Sequence, residues 1–184
     1  MFWSVCAGLK SDYWVARGEN TGNHLLPLRG ATILQVIPHL AAGGAERTAV
    51  EVTEALTAAG ARSLVLSAGG RLEGELIRAG GELIRLENAP TKNPFAIYAN
   101  AGVIARLVKA RKVNLIHARS RAPAWSALWA ARRTKTPLVT TYHGVYNAKG
   151  RLKRLYNSVM ARGDKVIANS EFTAAHIRAE HPWA

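Results

Sequence analysis

The chain has 184 residues, of which 25 are Lys or Arg and 12 are Asp or Glu, giving a formal charge of +13. With 48% hydrophobic and 20% charged residues and a mean hydropathy of −0.04, the composition is neither disordered nor membrane-spanning, and a buried core is expected. The length suits one compact domain and excludes a two-domain enzyme unless this chain is half of one, while the single cysteine, Cys6, excludes an internal disulfide or a cysteine-based metal centre and suits a reducing compartment.

The first apolar residues, Met1 to Leu9, lack a basic flank and are ended by Lys10 and Asp12. They read as neither a signal peptide nor an anchor. Gly18, Asn20, Gly22, Asn23, Pro27 and Gly30 follow without a hydrophobic period, so residues 1–30 are expected to be a poorly structured extension. Regular structure begins with Thr32 to Ile37, a short apolar run that predicts a buried strand. A turn holding Gly43 and Gly44 leads into a helix with Ala45, Ala49, Val52 and Leu56 on one face, and Gly60 stops it.

Ser63 to Leu66 then predicts a strand, Glu73 to Ala79 a short helix, and Glu82 to Leu86 another strand. After a loop from Asn88 to Pro94 comes a longer helix with Ile97, Ala101, Ile104 and Val108 in register, its basic last turns suiting the helix dipole. The remaining elements are a strand at Val113 to His117, a helix at Ala124 to Arg132, a strand at Leu138 to Tyr142 and a helix at Leu152 to Met160. A strand at Lys165 to Ala168 and a helix at Phe172 to Glu180 complete the chain. Short apolar strands alternating with helices imply α/β architecture, a doubly wound Rossmann-like parallel sheet over residues 31–184. Ligands of such sheets sit at the carboxyl ends of the strands, so the loops that follow them carry the candidate chemistry.

Charge is polarised along the chain. Residues 1–99 hold nine basic and nine acidic side chains, and residues 100–184 hold sixteen basic and three acidic. The C-terminal part therefore faces phosphates of a nucleotide, a lipid or a nucleic acid. The segment around Lys149, Arg151, Lys153 and Arg154 joins cations to an apolar stripe of Leu152, Leu155, Tyr156 and Val159. It reads either as core packing with a solvated outer face or as a membrane-surface contact on anionic lipid.

The strand-end residues are Gly43 and Gly44 at a helix start, His117 with Arg119 and Arg121 behind it, His143 with Gly144 and Tyr146, and Ser170 with Glu171. Adjacent glycines at a helix start expose backbone N–H groups to a phosphate, or else meet a turn that needs unusual dihedrals. No G-x-G-x-x-G, P-loop, G-x-S-x-G or metal-ligand spacing occurs, so dinucleotide, NTPase, serine-hydrolase and metal chemistry have no support.

Taken in order, Ile33-Leu34-Gln35-Val36-Ile37-Pro38-His39-Leu40 with Gly43-Gly44-Ala45-Glu46-Arg47, Leu115-Ile116-His117-Ala118-Arg119, Thr141-Tyr142-His143-Gly144 and Val166-Ile167-Ala168-Asn169-Ser170-Glu171 resemble the N-terminal domain of family 4 glycosyltransferases of the GT-B fold. The resemblance implies transfer of a sugar, with retention of configuration and no essential metal or other cofactor. The donor would be a nucleotide-diphosphate sugar and the acceptor a glycan or a lipid-linked molecule in bacterial cell-surface polysaccharide assembly. By position it puts Gly43 and Gly44 at the donor phosphates and His143 at the transferred sugar as catalytic residue. His117, Arg119, Arg121, Tyr146, Ser170 and Glu171 fall on the acceptor or cleft side.

It also implies a partner in the C-terminal donor-binding domain that carries the family's E-x7-E donor motif, a domain expected to be missing from this chain, so this polypeptide alone is expected to be inactive. A cytoplasmic protein, peripheral on the inner face of the membrane, would follow. Where family members carry a second histidine, this chain has Arg119-Ser120-Arg121, which suits an acceptor bearing phosphate or carboxylate. Charge alone also allows a non-catalytic basic module binding RNA or another polyanion. No recognition helix or stacking array accompanies the charge, so no specific nucleic acid is expected, and Trp125 and Trp129, four apart, share a helix face as packing residues.

Overall fold

The computed structural model describes residues 28–146 and 150–184. Residues 1–27 of the expected extension, and Lys149 of the expected membrane-surface set, lie outside them. Leu28 to Gly30 form a turn tied to the domain by a hydrogen bond from the Gly30 N–H to the Gly60 carbonyl, 2.9 Å.

Six strands, β1 (Thr32–Val36), β2 (Arg62–Ser67), β3 (Glu82–Arg85), β4 (Leu115–Ala118), β5 (Leu138–Tyr142) and β6 (Lys165–Ala168), form one sheet in the order β3-β2-β1-β4-β5-β6. All pairings are parallel. Each parallel step needs a crossover, and the helices α1 (Gly44–Ala58), α2 (Glu73–Arg78), α3 (Pro94–Ala110), α4 (Arg121–Thr134) and α5 (Arg151–Asn157) supply them. Helix α6 (Glu171–Glu180) follows the last strand. The α/β Rossmann-like architecture expected from the alternation is the one observed.

The pleat of β1 shows why the sheet is covered on both faces. Leu34 and Val36 join a large core with Ile104, Ile116 and the alanines Ala124, Ala127, Ala130 and Ala131, whereas Ile37 joins a smaller one with Leu40, Ala49, Val65, Leu72 and Leu76. Each fully buried Leu or Ile contributes about 1.5–3 kcal/mol relative to exposure. The alanines on α4 let α3 approach closely, and the Ser126 hydroxyl donates to the Ile97 carbonyl across the contact, 2.8 Å.

Three expectations are corrected. On α1 the fully buried positions are Ala49 and Thr53, with Val52 and Leu56 only partly covered, because the Thr53 hydroxyl turns inward to a polar side chain in the middle of the sheet. Helix α5 ends at Asn157 and passes into a 3₁₀ turn, Ser158–Ala161, that buries Val159, Met160 and Ala161. Helix α4 starts at Arg121, three residues earlier than its apolar period suggests, since Pro123 fits a first turn, where an N–H is not needed.

Candidate functional site

Strand order runs outward in both directions from β1, so the carboxyl ends of β1 and β4 form the point where the winding reverses. The loop after β1 is held by the loop after β2. The Leu40 N–H donates to the Gly69 carbonyl, 2.9 Å, and the Leu72 N–H donates to the Leu40 carbonyl, 2.9 Å. Gly70, with φ at +152°, lies so close that a Cβ would strike the Leu40 carbonyl.

Gly43 caps α1 and Gly44 opens it, and neither has a positive φ. Unusual dihedrals therefore do not explain this glycine pair. Glu46 folds its carboxylate back against Gly43, while a Cβ on Gly44 would meet nothing within 4 Å. No side-chain hydrogen bond caps the helix, and the carboxylate that lies at the positive end of its dipole is that of Glu46.

Beneath the middle of α1 lies a buried polar network that strand periodicity alone does not announce. Gln35, fully buried, donates from Nε2 to the Ala49 carbonyl at 3.0 Å and to the hydroxyls of Thr53 at 2.8 Å and Ser63 at 3.3 Å. Its Oε1 accepts from Nε of Arg119 at 2.9 Å. Arg119 is only 2% exposed; burial lowers its pKa to about 10, with Glu51 acting in the opposite sense. Two residues earlier, His117 is 8% exposed. An Arg119 Nη2 lies 3.4 Å from His117 Nδ1, and because guanidinium can only donate, Nδ1 accepts and the proton sits on Nε2. Nε2 then donates to the Thr141 hydroxyl, 2.7 Å away. Burial first, then the charges of Arg119 and His143, push the His117 pKa well down, so the ring is neutral. A glutamine within an otherwise apolar strand was the only sequence signal for this network.

His143 follows β5. Its pKa falls to about 4, mainly through burial and then the charge of Arg119, and its Nε2 is buried without a hydrogen-bond partner. Such an unfinished hydrogen bond costs about 1–3 kcal/mol, and the Tyr142 hydroxyl and Asn157 Nδ2 are likewise buried without a partner among the described residues. The loop is steadied by the Asn169 amide, which donates to the His143 carbonyl at 3.2 Å. Tyr146 stacks on Tyr142 with centroids 5.0 Å apart, and the Arg121 guanidinium lies over the Tyr146 ring at 4.2 Å while donating to Asn157 Oδ1 at 2.8 Å.

Among the expected site residues, the structure therefore brings His117, Arg119 and His143 into one cluster and sets Arg121 with Tyr146 beside it. Ser170 caps α6, its hydroxyl accepting from the Thr173 N–H at 3.1 Å, and Glu171 is exposed in the first turn of that helix. Arg151, Lys153 and Arg154 lie exposed on α5, Arg154 3.6 Å from Glu180. Leu152 and Leu155 on the same helix are 84% and 54% exposed, so the apolar stripe is not spent on the core until Val159. Trp125 and Trp129 stack with centroids 5.8 Å apart, as their spacing suggested. Among the described residues no helix is long and apolar enough to cross a membrane.

The neutral histidines have a consequence for stability. Both have folded pKa values below the ordinary 6.5, so below pH 6.5 the unfolded chain binds more protons and stability falls as pH falls. His181, depressed chiefly by burial, acts in the same direction. The melting temperature is expected to drop steadily from pH 6.5 to about 4.5, above the range where carboxylates dominate. A flat or rising profile over that interval in a dye-based melting series contradicts neutral buried histidines.

Compared with known proteins, residues 42–183 match the family described as Glycosyltransferase Family 4. A glycosyltransferase from Rickettsia africae is similar in structure, with a TM-score of 0.70 and 43% identity over 81% of this chain and 39% of that one. The Anabaena protein HepE, in complex with UDP and glucose, superposes with a TM-score of 0.64 at 21% identity, covering 81% of this chain and 41% of its own. Sucrose-phosphate synthase from Thermosynechococcus elongatus gives 0.61 at 17% identity, covering 82% and 45%. These last two show the fold alone. No curated protein matches the chain. The chain thus spans about two fifths of the solved proteins it resembles.

Proposed function

Since the chain belongs to glycosyltransferase family 4 as an N-terminal GT-B domain, we propose that its sheet edge forms one wall of a cleft in which a sugar passes from a nucleotide-diphosphate donor to an acceptor. The observation that carries this reading is the cluster at the winding reversal. An uncapped helix end at Gly43 and Gly44, a buried Arg119 with no carboxylate salt-bridge partner among the described residues and a neutral His143 follow the carboxyl ends of the neighbouring strands β1, β4 and β5. In such a transfer the bond from the anomeric carbon to the diphosphate breaks as the bond to an acceptor oxygen forms. The helix end suits the charge that develops on the leaving diphosphate, and the fixed Arg119 cation adds to that field. His143, uncharged near neutral pH, serves as a hydrogen-bonding group to the sugar rather than as a charged acid. The donor would be shared with a second Rossmann-like half; a cytoplasmic location and a role in cell-surface polysaccharide assembly belong to this same proposal.

Gly44 supplies the test. A side chain there meets nothing in the fold, so Gly44→Leu should hold its stability within about 1 kcal/mol. In the whole protein that carries both halves, the same change crowds the phosphate approach and is expected to weaken UDP-sugar binding at least about tenfold by calorimetry. Unchanged affinity for every nucleotide sugar tried removes the helix end from the donor site.

A further inference from the structure

Beside this cluster opens a groove of about 560 Å³ lined by Lys92, Ser120, Arg121, Val145, Tyr146, Lys153 and Tyr156, among others. That volume falls in the range of small-molecule sites. Three cations from three separate elements face it: Lys92 from the loop before α3, Arg121 from the start of α4 and Lys153 from α5. No acidic residue lines it, and among the described residues none of the three cations has a carboxylate partner. None of the three carboxylates of the C-terminal part lines the groove: Asp164 accepts the Leu138 N–H, Glu180 pairs with Arg154, and Glu171 is exposed at the start of α6. Like charges held around one concavity repel one another, and a multiply charged anion removes that penalty.

The cations are not left to wander. Arg121 is fixed by Asn157 on one side and by the Tyr146 ring on the other, which orients its remaining donors. Ser120 and Ala122, at the start of α4, also line the groove, and the first turn of α4 holds no acidic residue.

The flank beside the groove has the opposite character. On α5, the helix that contributes Lys153, Leu152 and Leu155 stand in solvent at 84% and 54% exposure, and Val145 at the groove itself is 38% exposed. Exposed leucines outside the lining, on the helix that lends Lys153 to an unneutralised cationic hollow, match a molecule with a charged head and an apolar tail. We propose that this groove is an acceptor subsite for the phosphate group of an amphiphile, with Lys92, Arg121 and Lys153 on the phosphate and Leu152 and Leu155 along its hydrocarbon chain. The word acceptor rests on the transferase reading above; the binding of the phosphate amphiphile does not.

The test needs no donor and no turnover, so its outcome stands apart from that of the transferase reading. The 184-residue chain is titrated, by calorimetry, with dodecyl phosphate below its micellar concentration, with inorganic phosphate and with dodecyl maltoside. Dodecyl phosphate is expected to bind at least about tenfold more tightly than inorganic phosphate, and the maltoside weakly. The exposed double change Lys92→Gln/Lys153→Gln should weaken both phosphates at least about tenfold. Leu152→Ser/Leu155→Ser should abolish the preference for the alkyl phosphate and leave inorganic phosphate as before. Equal binding of the lysine variant and the parent protein overturns the site. Maltoside binding as tight as the alkyl phosphate replaces the subsite with a merely greasy surface, and inorganic phosphate binding as tight as the alkyl phosphate eliminates the amphiphile.

Discussion

Replacing Gln35 by Leu is expected to destabilise the domain by about 3–5 kcal/mol, although Leu is apolar, of similar volume and placed in a fully buried strand. Hydrophobic matching says the change should be mild. The network says otherwise. Gln35 is the group that accepts from Nε of Arg119, and Arg119 is itself 2% exposed. Guanidinium cannot shed its proton to escape the cost of burial, so Gln35→Leu leaves that charge with only the long contact to His117 Nδ1, 3.4 Å. The Ala49 carbonyl loses the bond from Nε2 but keeps the one from the Thr53 hydroxyl at 2.9 Å. Thr53 and Ser63 still have each other at 2.9 Å. For a domain of this size the loss corresponds to a melting temperature lower by about 10 °C. The double variant Gln35→Leu/Arg119→Met removes the buried charge and is expected to recover most of the deficit, since an apolar replacement of a buried ionic group is often neutral or better. Chemical denaturation of the parent, both singles and the double decides it. A Gln35→Leu variant within 1 kcal/mol of the parent shows that Arg119 finds other partners.

His143→Ala is expected to have the opposite signature, with little or no loss of stability and a fall in sugar transfer of about a hundredfold or more in the whole protein. The stability half follows from the buried Nε2, which has no hydrogen-bond partner among the described residues: removing it relieves a desolvated polar atom. The activity half follows if the ring completes its bonding on the donor sugar, as the proposed function requires. Together the two halves separate a residue kept for function from one kept for folding. A variant that loses stability as steeply as activity places His143 among the structural residues.

The fold was legible because two independent periods agreed. Apolar strands of four to six residues, alternating with helical stretches, leave a parallel sheet as the natural arrangement, and every predicted element occurs within a few residues of its expected place. Boundaries moved where a polar side chain outweighed hydrophobic spacing, as when Thr53 turned inward to Gln35 and when Asn157, bonded to Arg121, closed α5.

The strand-end rule found His117, Arg119 and His143, since the carboxyl edge of a parallel sheet is fixed by topology and not by side chains. It could not show that Arg119 lies inward beneath the edge while Arg121 lies in the groove, because their opposite settings depend on where α4 begins. Nor could it show Lys92 and Lys153, 61 positions apart in sequence, facing one hollow. Charge alone also allowed a polyanion-binding module, and the match over residues 42–183 places the chain in glycosyltransferase family 4.

The central claim is that this sheet edge is a wall of a sugar-transfer cleft. It is tested most directly by nucleoside diphosphate release from UDP-glucose and a panel of other nucleotide-diphosphate sugars. The comparison is between the whole protein containing both Rossmann-like halves and its His143→Ala variant, at matched folded concentration. Release from at least one donor, falling about a hundredfold in the variant, is the predicted result. Equal release by the parent and His143→Ala proteins contradicts it.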